Sequence, residues 1–267
     1  MASKERNDPY DRANTDGRVT LVGAGPGAVD LITIRGQRAL AEADVVVYDD
    51  LANVALMDVC PKGIEKLYVG KRAGRHGAQQ AEISAILVRE ALKGLHVVRL
   101  KGGDPLIFGR GGEEEQVLAE AGIPFEVVPG VTSATAAGAA AGIPLTHRRH
   151  ASAVVFVTGH ECAGKPGDSA VDWQALARTK ATLCIYMGTR RMEKIAHELR
   201  AGGLLGNTPV AVIANATLPK QCVQIGDLDS CSAIVAAVAG QPALIIVGEV
   251  VRLSELIEQA KSAVVEV

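Results

Sequence analysis

The sequence has few aromatic residues and no long hydrophobic run. Phe, Trp and Tyr make up 3% of its 267 residues, so stacking of bases on aromatic rings is poorly supported as a binding mode. No apolar stretch reaches the roughly 18 residues that a membrane-spanning helix needs. The net charge is −2 without a block of one sign, which does not indicate non-specific phosphate binding. We therefore expect neither nucleic acid nor membrane as a partner.

Paired cysteines and known metal-binding spacings are also missing. The five cysteines are dispersed and form no C-x-x-C pair, which favours free thiols in a reducing compartment and predicts a cytoplasmic protein. The six histidines show no H-E-x-x-H spacing, so no metal is expected. Residues 1–17 are polar and lack the apolar centre of a signal peptide. We expect them to form a disordered tail.

What is present is a regular alternation of β-type and helical patterns. From residue 18 the two alternate five times, which is typical of a mostly parallel sheet with helices on its faces. The rhythm breaks at Ile143-Pro-Leu-Thr-His-Arg-Arg-His150. We therefore predict two α/β domains, residues 18–145 and 146–267. In the second, residues 222–226 resemble a strand that follows another strand without a helix, so a mixed sheet is predicted.

The first strand ends in Gly23-Ala-Gly-Pro-Gly-Ala28, which matches the dinucleotide-binding fingerprint. Two details weigh against that function. Residues 28–32 separate the glycines from the next helix, which we expect to begin after Thr33, whereas a pyrophosphate needs the helix N-terminus. Pro26 also removes a backbone donor from the loop. A nucleotide-linked dehydrogenase and a tight turn without ligand both stay open as alternatives.

A second glycine-rich strand exit is Gly102-Gly-Asp-Pro105. Glycines allow a ligand to lie against the backbone, and carboxyl ends of strands are where open α/β sheets bind ligands. Asp104 could complement a cationic group or only cap the next turn. The helix predicted over 132–142 consists of very small residues, which either admit a ligand or allow tight packing on a sheet.

Basic residues follow several predicted strands. If the parallel sheet is right, their loops share one edge and suit a ligand with several carboxylates; the alternative is a solvated charged face. The set is Lys71, Arg72, Arg75, Arg110, His147, Arg148 and Arg149.

Eight motifs occur together in the order found in one known family. They are Val22-Gly-Ala-Gly-Pro-Gly27, Val46-Val-Tyr-Asp49, Val69-Gly-Lys-Arg72, Arg99-Leu-Lys-Gly-Gly-Asp-Pro105, Val128-Pro-Gly-Val-Thr-Ser133, Pro144-Leu-Thr-His-Arg148, Tyr186-Met-Gly188 and Pro242-Ala-Leu-Ile-Ile-Val-Gly248. From about residue 18 to residue 252 the chain thus resembles the tetrapyrrole methyltransferases. The resemblance implies two unequal α/β domains with S-adenosylmethionine bound in the cleft between them. It also implies a homodimer that methylates uroporphyrinogen III at C2 and C7, giving precorrin-2 for sirohaem or cobalamin biosynthesis and S-adenosylhomocysteine as by-product.

The resemblance also assigns roles to residues. It makes Asp49 the proton acceptor and Lys71 the proton donor. The implied donor contacts are Pro26, Gly102, Gly103, Asp104, Ile107, Thr132, Ser133, Met187, Ala216 and Ala243. Because the substrate carries eight carboxylates, we expect the basic loops to bind it, through Arg72, Arg110, His147 and Arg148.

Two departures from the family are visible. Ala216 stands where a relative has Gly, and its methyl group should narrow the donor pocket slightly. Some members carry an N-terminal dehydrogenase/ferrochelatase module, whose activities are not expected here. Three rival functions stay open: a methyltransferase acting on a later corrin precursor, a dehydrogenase, and a non-catalytic tetrapyrrole carrier.

Overall fold

The computed structural model describes residues 17–70, 78–160, 171–254 and 257. Its first half contains five strands and four α-helices: β1 (Arg18–Gly23), α1 (Ile34–Ala41), β2 (Val45–Tyr48), β3 (Glu65–Tyr68), α2 (Ala78–Ala91), β4 (His96–Lys101), α3 (Gly111–Glu120), β5 (Phe125–Val128) and α4 (Ser133–Ala140). The strands form one sheet in the order β3-β2-β4-β1-β5, and every pairing is parallel.

The second half forms another five-stranded sheet. Its elements are β6 (Val154–Thr158), α5 (Trp173–Arg178), β7 (Thr182–Tyr186), α6 (Met192–Ala201), β8 (Pro209–Ala214), β9 (Cys222–Asp227), α7 (Cys231–Ala236) and β10 (Ala243–Val247). The order is β6-β7-β10-β8-β9, with only β6 and β7 parallel. The predicted fold class, a parallel first sheet and a mixed second one, is confirmed.

Apolar strands build the core on both faces of the first sheet. In β2, Val46 packs with the α1 side of the sheet, while Val45 and Val47 pack with the α2 side. All three are at most 2% exposed. A strand buried on both faces must be apolar throughout, which is why its sequence shows no alternation.

Helix α4 belongs in sequence to the first half but packs on the second sheet. Ala134 and Ala137 lie in one core cluster with Cys184 of β7 and Ile246 of β10. The small residues of this helix therefore make a tight helix–sheet contact, one of the two interpretations left open by the sequence. The domain boundary at residue 145 stays a prediction.

Several predicted elements are shorter or differ in type. The short helix expected near residues 53–59 is a 3-10 turn, Val54–Val59, capped by the Asn53 side chain, which accepts a hydrogen bond from Ala55 N. The helix expected over 228–239 spans only Cys231–Ala236. Most of the last predicted helix, 253–263, and the predicted tail except Gly17 lie outside the described residues. Within the described ranges, no helix is long and apolar enough to cross a membrane.

Candidate functional site

The loops that follow β1, β4 and β5 meet at one edge of the parallel sheet. Gly25 and Gly103 pair as an isolated β-bridge, with Gly103 N donating to Gly25 O at 2.7 Å and Gly25 N donating to Gly103 O at 3.2 Å. Both have left-handed backbones, with φ of 76° and 69°, which glycine adopts without steric cost. The two glycine-rich strand exits are thus one joined structure.

Gly130, after β5, closes the same arrangement. A Cβ atom there would lie 2.2 Å from Gly103 O and 2.8 Å from Gly23 Cα. Asp104 fastens the loops, because its Oδ2 accepts from Gly130 N at 3.0 Å and its Oδ1 accepts from Leu106 N at 2.8 Å. The carboxylate therefore caps its own turn and ties two loops together. Its contact with a donor stays a prediction.

A tyrosine of the second sheet caps the N-terminus of α4. Thr132 is the N-cap residue but makes no side-chain cap. Instead, Ala134 N donates to the Tyr186 hydroxyl at 3.0 Å, and that hydroxyl lies 2.6 Å from Thr132 Oγ1. Burial raises the pKa of Tyr186, which keeps the phenol protonated. Thr132 and Ser133, both predicted donor contacts, are thereby positioned by the second half of the molecule.

Several residues with strained, positive-φ backbone lie near the same edge of the sheet. Six described residues other than glycine have positive φ, and five of them lie on loops near the predicted donor contacts: Phe108, Arg110, Met187, Asn215 and Thr217. Met187 is itself a predicted contact, and Ala216 lies between two of the strained residues. Such conformations cost about 1–3 kcal/mol each and gather at functional sites. Their position supports a binding site here.

The β1 loop also contacts the second half directly. Ala28 N donates to Thr217 Oγ1 at 3.0 Å, and a Cβ at Gly27 would lie 2.9 Å from Leu218. Pro26 lies in this loop, Ile107 in the turn after Asp104, and Ala243 at the start of β10 beside Ala214. The predicted donor contacts therefore lie on strand ends and loops contributed by both sheets.

Asp49 directly follows β2 and contacts a buried arginine. Arg99 Nη2 donates to Asp49 Oδ2 at 2.7 Å, while Leu51 N donates to Oδ1 at 3.0 Å. The Asp49 side chain is 25% exposed and that of Arg99 only 3%. The structure thus places the predicted proton acceptor in a fixed orientation at the end of its strand.

Behind Asp49 lies a cluster of buried charges, which we call the Glu114 cluster: Arg99, Lys101 and Glu114. Arg99 Nε donates to Glu114 Oε1 at 3.3 Å, and Lys101 Nζ donates to both Glu114 oxygens at 3.0 Å. Burial, followed by the Arg99 charge, lowers the pKa of Lys101. With Asp49 included, two positive and two negative groups balance, as buried charges require.

The predicted substrate contacts are described only in part. Lys71 and Arg72 lie outside the described residues. Arg110 precedes α3 and forms an ion pair with Glu113 at 2.6 Å. His147 forms a bridge with Ala151, and Arg148 is exposed in the turn between them. Their contact with a substrate stays a prediction.

Three residues of the site were missed by reasoning from the sequence: Tyr186, Arg99 and Glu114. The sequence did contain an indication for Arg99, because a charged residue within a strand buried on both faces needs a buried partner of opposite charge. Glu114 lies 15 positions after Arg99, and no pattern in the sequence marks it as that partner. The capping role of Tyr186 could not be found, because its partners Thr132 and Ala134 lie over 50 positions away in the sequence.

Comparisons with known proteins agree with this geometry. Residues 18–231 match the family model of Tetrapyrrole (Corrin/Porphyrin) Methylases. Siroheme synthase 1 of Serratia proteamaculans is 52% identical over 239 residues, which cover 90% of this chain and 49% of that protein. The chain thus spans about half the length of the curated relatives it matches.

Solved structures match over nearly their whole length. Uroporphyrin-III C-methyl transferase from Thermus thermophilus, complexed with S-adenyl homocysteine, superposes with a TM-score of 0.76 at 42% identity, covering 89% of this chain and 94% of that one. A cobalt precorrin-4 methyltransferase superposes with a TM-score of 0.77 at 30% identity, covering 88% and 95%.

Proposed function

The chain belongs to the tetrapyrrole methylase family, as its motifs predicted, and from this we propose that it is an S-adenosylmethionine-dependent C-methyltransferase. We propose uroporphyrinogen III as substrate, methylated at C2 and C7 to precorrin-2, a precursor of sirohaem and cobalamin. The observation that carries the proposal is the 42% identity, over 94% of its length, to a uroporphyrin-III C-methyl transferase solved with S-adenyl homocysteine. The corresponding identity for the cobalt precorrin-4 enzyme is 30%.

The residues at the joined strand ends fit an adenosyl donor. Ala216, Ala243 and Ile107 are half-buried and apolar, and Met187 is exposed, which suits the apolar surfaces of an adenine ring and a methionine chain. Gly102 is half-buried and Gly103 is buried in its pairing with Gly25, and Pro26, Thr132 and Ser133 complete the set. Bound there, S-adenosylmethionine supplies an activated methyl group.

The protein's own contribution is alignment and proton handling. In-line transfer to a pyrrole carbon depends mainly on positioning. Methylation leaves a cationic ring that must lose a proton, and the fixed carboxylate of Asp49 is suited to accept it or to stabilise the charge. Lys71 would serve as proton donor. The substrate's carboxylates would bind Arg72, Arg110, His147 and Arg148.

We further propose that the enzyme is a homodimer and works in the cytoplasm. The localisation is supported by its cysteines, of which Cys60, Cys184, Cys222 and Cys231 are free. Both statements can be checked on the native protein, by light scattering and by fractionation of the cells that make it.

One assay tests the proposed activity. Purified chain is incubated with methyl-labelled S-adenosylmethionine and either uroporphyrinogen III or a later precorrin, and the mass of the product is measured by mass spectrometry. We expect label and two added methyl groups on uroporphyrinogen III. Transfer only to the later precursor would support the rival methyltransferase, and binding of uroporphyrinogen without transfer would support a carrier.

A further inference from the structure

The charged side chains of the Glu114 cluster are buried, where ion pairs add little to the stability of the fold. Glu114 is fully buried, and the Arg99 and Lys101 side chains are 3% and 5% exposed. Apolar side chains of the same size are often at least as stabilising at such a place. The cluster adjoins the strand end that carries Asp49, so an influence on Asp49 would account for it.

The hydrogen bonds of Arg99 hold its guanidinium in one orientation. Its Nε donates to Glu114, and its Nη1 donates to the carbonyls of Leu100 at 2.9 Å and Val47 at 3.4 Å. Its Nη2 remains to hold Asp49 Oδ2. Because the guanidinium is planar and rigid, these contacts with Glu114 and the two carbonyls also fix the direction in which Nη2 donates to Asp49.

Glu114 is in turn held from two further directions. Lys101 donates to both of its oxygens, and Gln80 Nε2 donates to Oε1 at 3.1 Å. Its position on the first turn of α3, in contact with β4, is thereby fixed. The contacts run without a gap from α2 and α3 through Arg99 to the carboxylate of Asp49.

We infer that Arg99, oriented by Glu114, is a positioning residue that presets the Asp49 carboxylate for the methyl-transfer reaction. This inference rests on the proposed function. Arg99 acts only through Asp49 and not by touching donor or substrate. Small displacements of a reacting group from its productive geometry reduce rates by about 100-fold.

The test is a double-mutant cycle on the full chain with uroporphyrinogen III and S-adenosylmethionine. Arg99→Lys keeps the charge but cannot hold Glu114 and Asp49 together. We expect its kcat to fall about 100-fold, with KM for uroporphyrinogen III and Kd for S-adenosylhomocysteine within about twofold of wild type. In an Asp49→Asn background the same change should alter the single-turnover rate by less than about twofold.

Two further variants keep the test decisive if Arg99→Lys does not fold. Glu114→Gln combined with Lys101→Met preserves the charge balance and should lower kcat only while Asp49 is present. Glu90→Gln is the matched control. Glu90 is also 2% exposed and pairs with two basic residues, Arg89 and Lys93, so its replacement should lower thermal stability without loss of kcat.

The outcomes separate this inference from the proposed function. A wild-type chain that transfers no methyl group overturns both. Wild-type transfer with a folded Arg99→Lys variant of normal kcat overturns the inference alone. So does a loss of equal size with Asp49 present and in the Asp49→Asn background, since that loss would then arise from general destabilisation rather than through Asp49.

Discussion

At the scale of single residues, the hydroxyl of Tyr186 joins the two halves of the molecule. It accepts a hydrogen bond from the backbone N–H of Ala134 and contacts Thr132, so it takes the place of the side-chain cap that α4 lacks. A helix N-terminus without a cap leaves unsatisfied backbone donors. The orientation of Thr132 therefore depends on a residue of the second sheet.

Replacing Tyr186 with Phe should affect both stability and donor binding. We expect the free energy of unfolding to fall by about 1–2 kcal/mol, since the N–H of the buried Ala134 loses its acceptor. Affinity for S-adenosylhomocysteine should fall several-fold, because Thr132 is freed. Urea unfolding and calorimetric titration measure the two effects.

Tyr68→Phe is the control for the stability effect. Its hydroxyl also contacts a polar side chain, Asp50, but at an exposed position, so we expect a change within about 0.5 kcal/mol of wild type. Equal effects of the two substitutions would contradict the capping role of Tyr186.

Replacing Asp49 with Asn tests the predicted proton acceptor. The amide keeps the shape of the side chain but binds a proton far less readily. We expect the single-turnover rate of methyl transfer to fall about 100-fold or more, while uroporphyrinogen III and S-adenosylhomocysteine bind nearly as in wild type. Rapid-quench measurement with labelled donor follows methyl transfer, and product mass follows precorrin-2 formation; normal rates of both would exclude Asp49 from proton transfer.

At the scale of elements, three loops depend on glycines for their mutual contact. Gly23, Gly103 and Gly130 approach one another so closely that any Cβ at Gly130 would meet backbone atoms of the other two. Backbone atoms cannot move aside as a flexible side chain can. The contact therefore holds the ends of β1, β4 and β5 in register at the candidate site.

Gly130→Ala should destabilise the protein by about 3 kcal/mol through overpacking and weaken donor binding. Gly112→Ala is a matched control, because a Cβ there meets nothing within 4 Å and the residue lies inside α3. Alanine at that position should stabilise by up to about 1 kcal/mol. Thermal unfolding of both variants measures the difference, and a stable Gly130→Ala protein would show that the loops tolerate separation.

The elements themselves were largely predictable, and their contacts were not. The parallel alternation and the Thr33 cap of α1 followed from pattern and capping chemistry. That the glycines at 102 and 103 allow a ligand to approach stays a prediction, whereas the β-bridge between Gly103 and Gly25 was not predicted. The sequence indicates that another group closely approaches the backbone of a glycine, but which group it is depends on tertiary packing.

At the scale of the whole molecule, one buried histidine makes stability depend on pH. His96 lies between Thr20, which it contacts through Nε2 at 2.9 Å, and the carbonyl of Glu42, 3.0 Å from Nδ1. Burial lowers the pKa of His96 below its ordinary value of 6.5. Below about pH 6.5, His96 binds a proton more readily in the unfolded chain than in the folded one. The free energy of unfolding therefore decreases as pH falls below that value.

We expect His96→Gln to reduce this dependence. Urea unfolding at about pH 7 and about pH 5, on either side of the ordinary histidine pKa, should show a smaller loss of free energy in the variant than in the wild type. The exposed His197→Gln protein should keep the wild-type loss, because that side chain is hydrated in both states. A wild-type loss unchanged in His96→Gln would assign the pH dependence to other groups.

The order of strands in the first sheet has a consequence for how the chain is made. Strand β1 is synthesised first, yet it lies between β4 and β5. Arg18 can pair only after His96, 78 positions later, has been synthesised. Val19 also requires Phe125 for its second pairing. At roughly 5–20 residues per second, this apolar strand stays unpaired for several seconds on the ribosome. A nascent chain stalled before β5 should therefore be protease-sensitive and prone to association through β1.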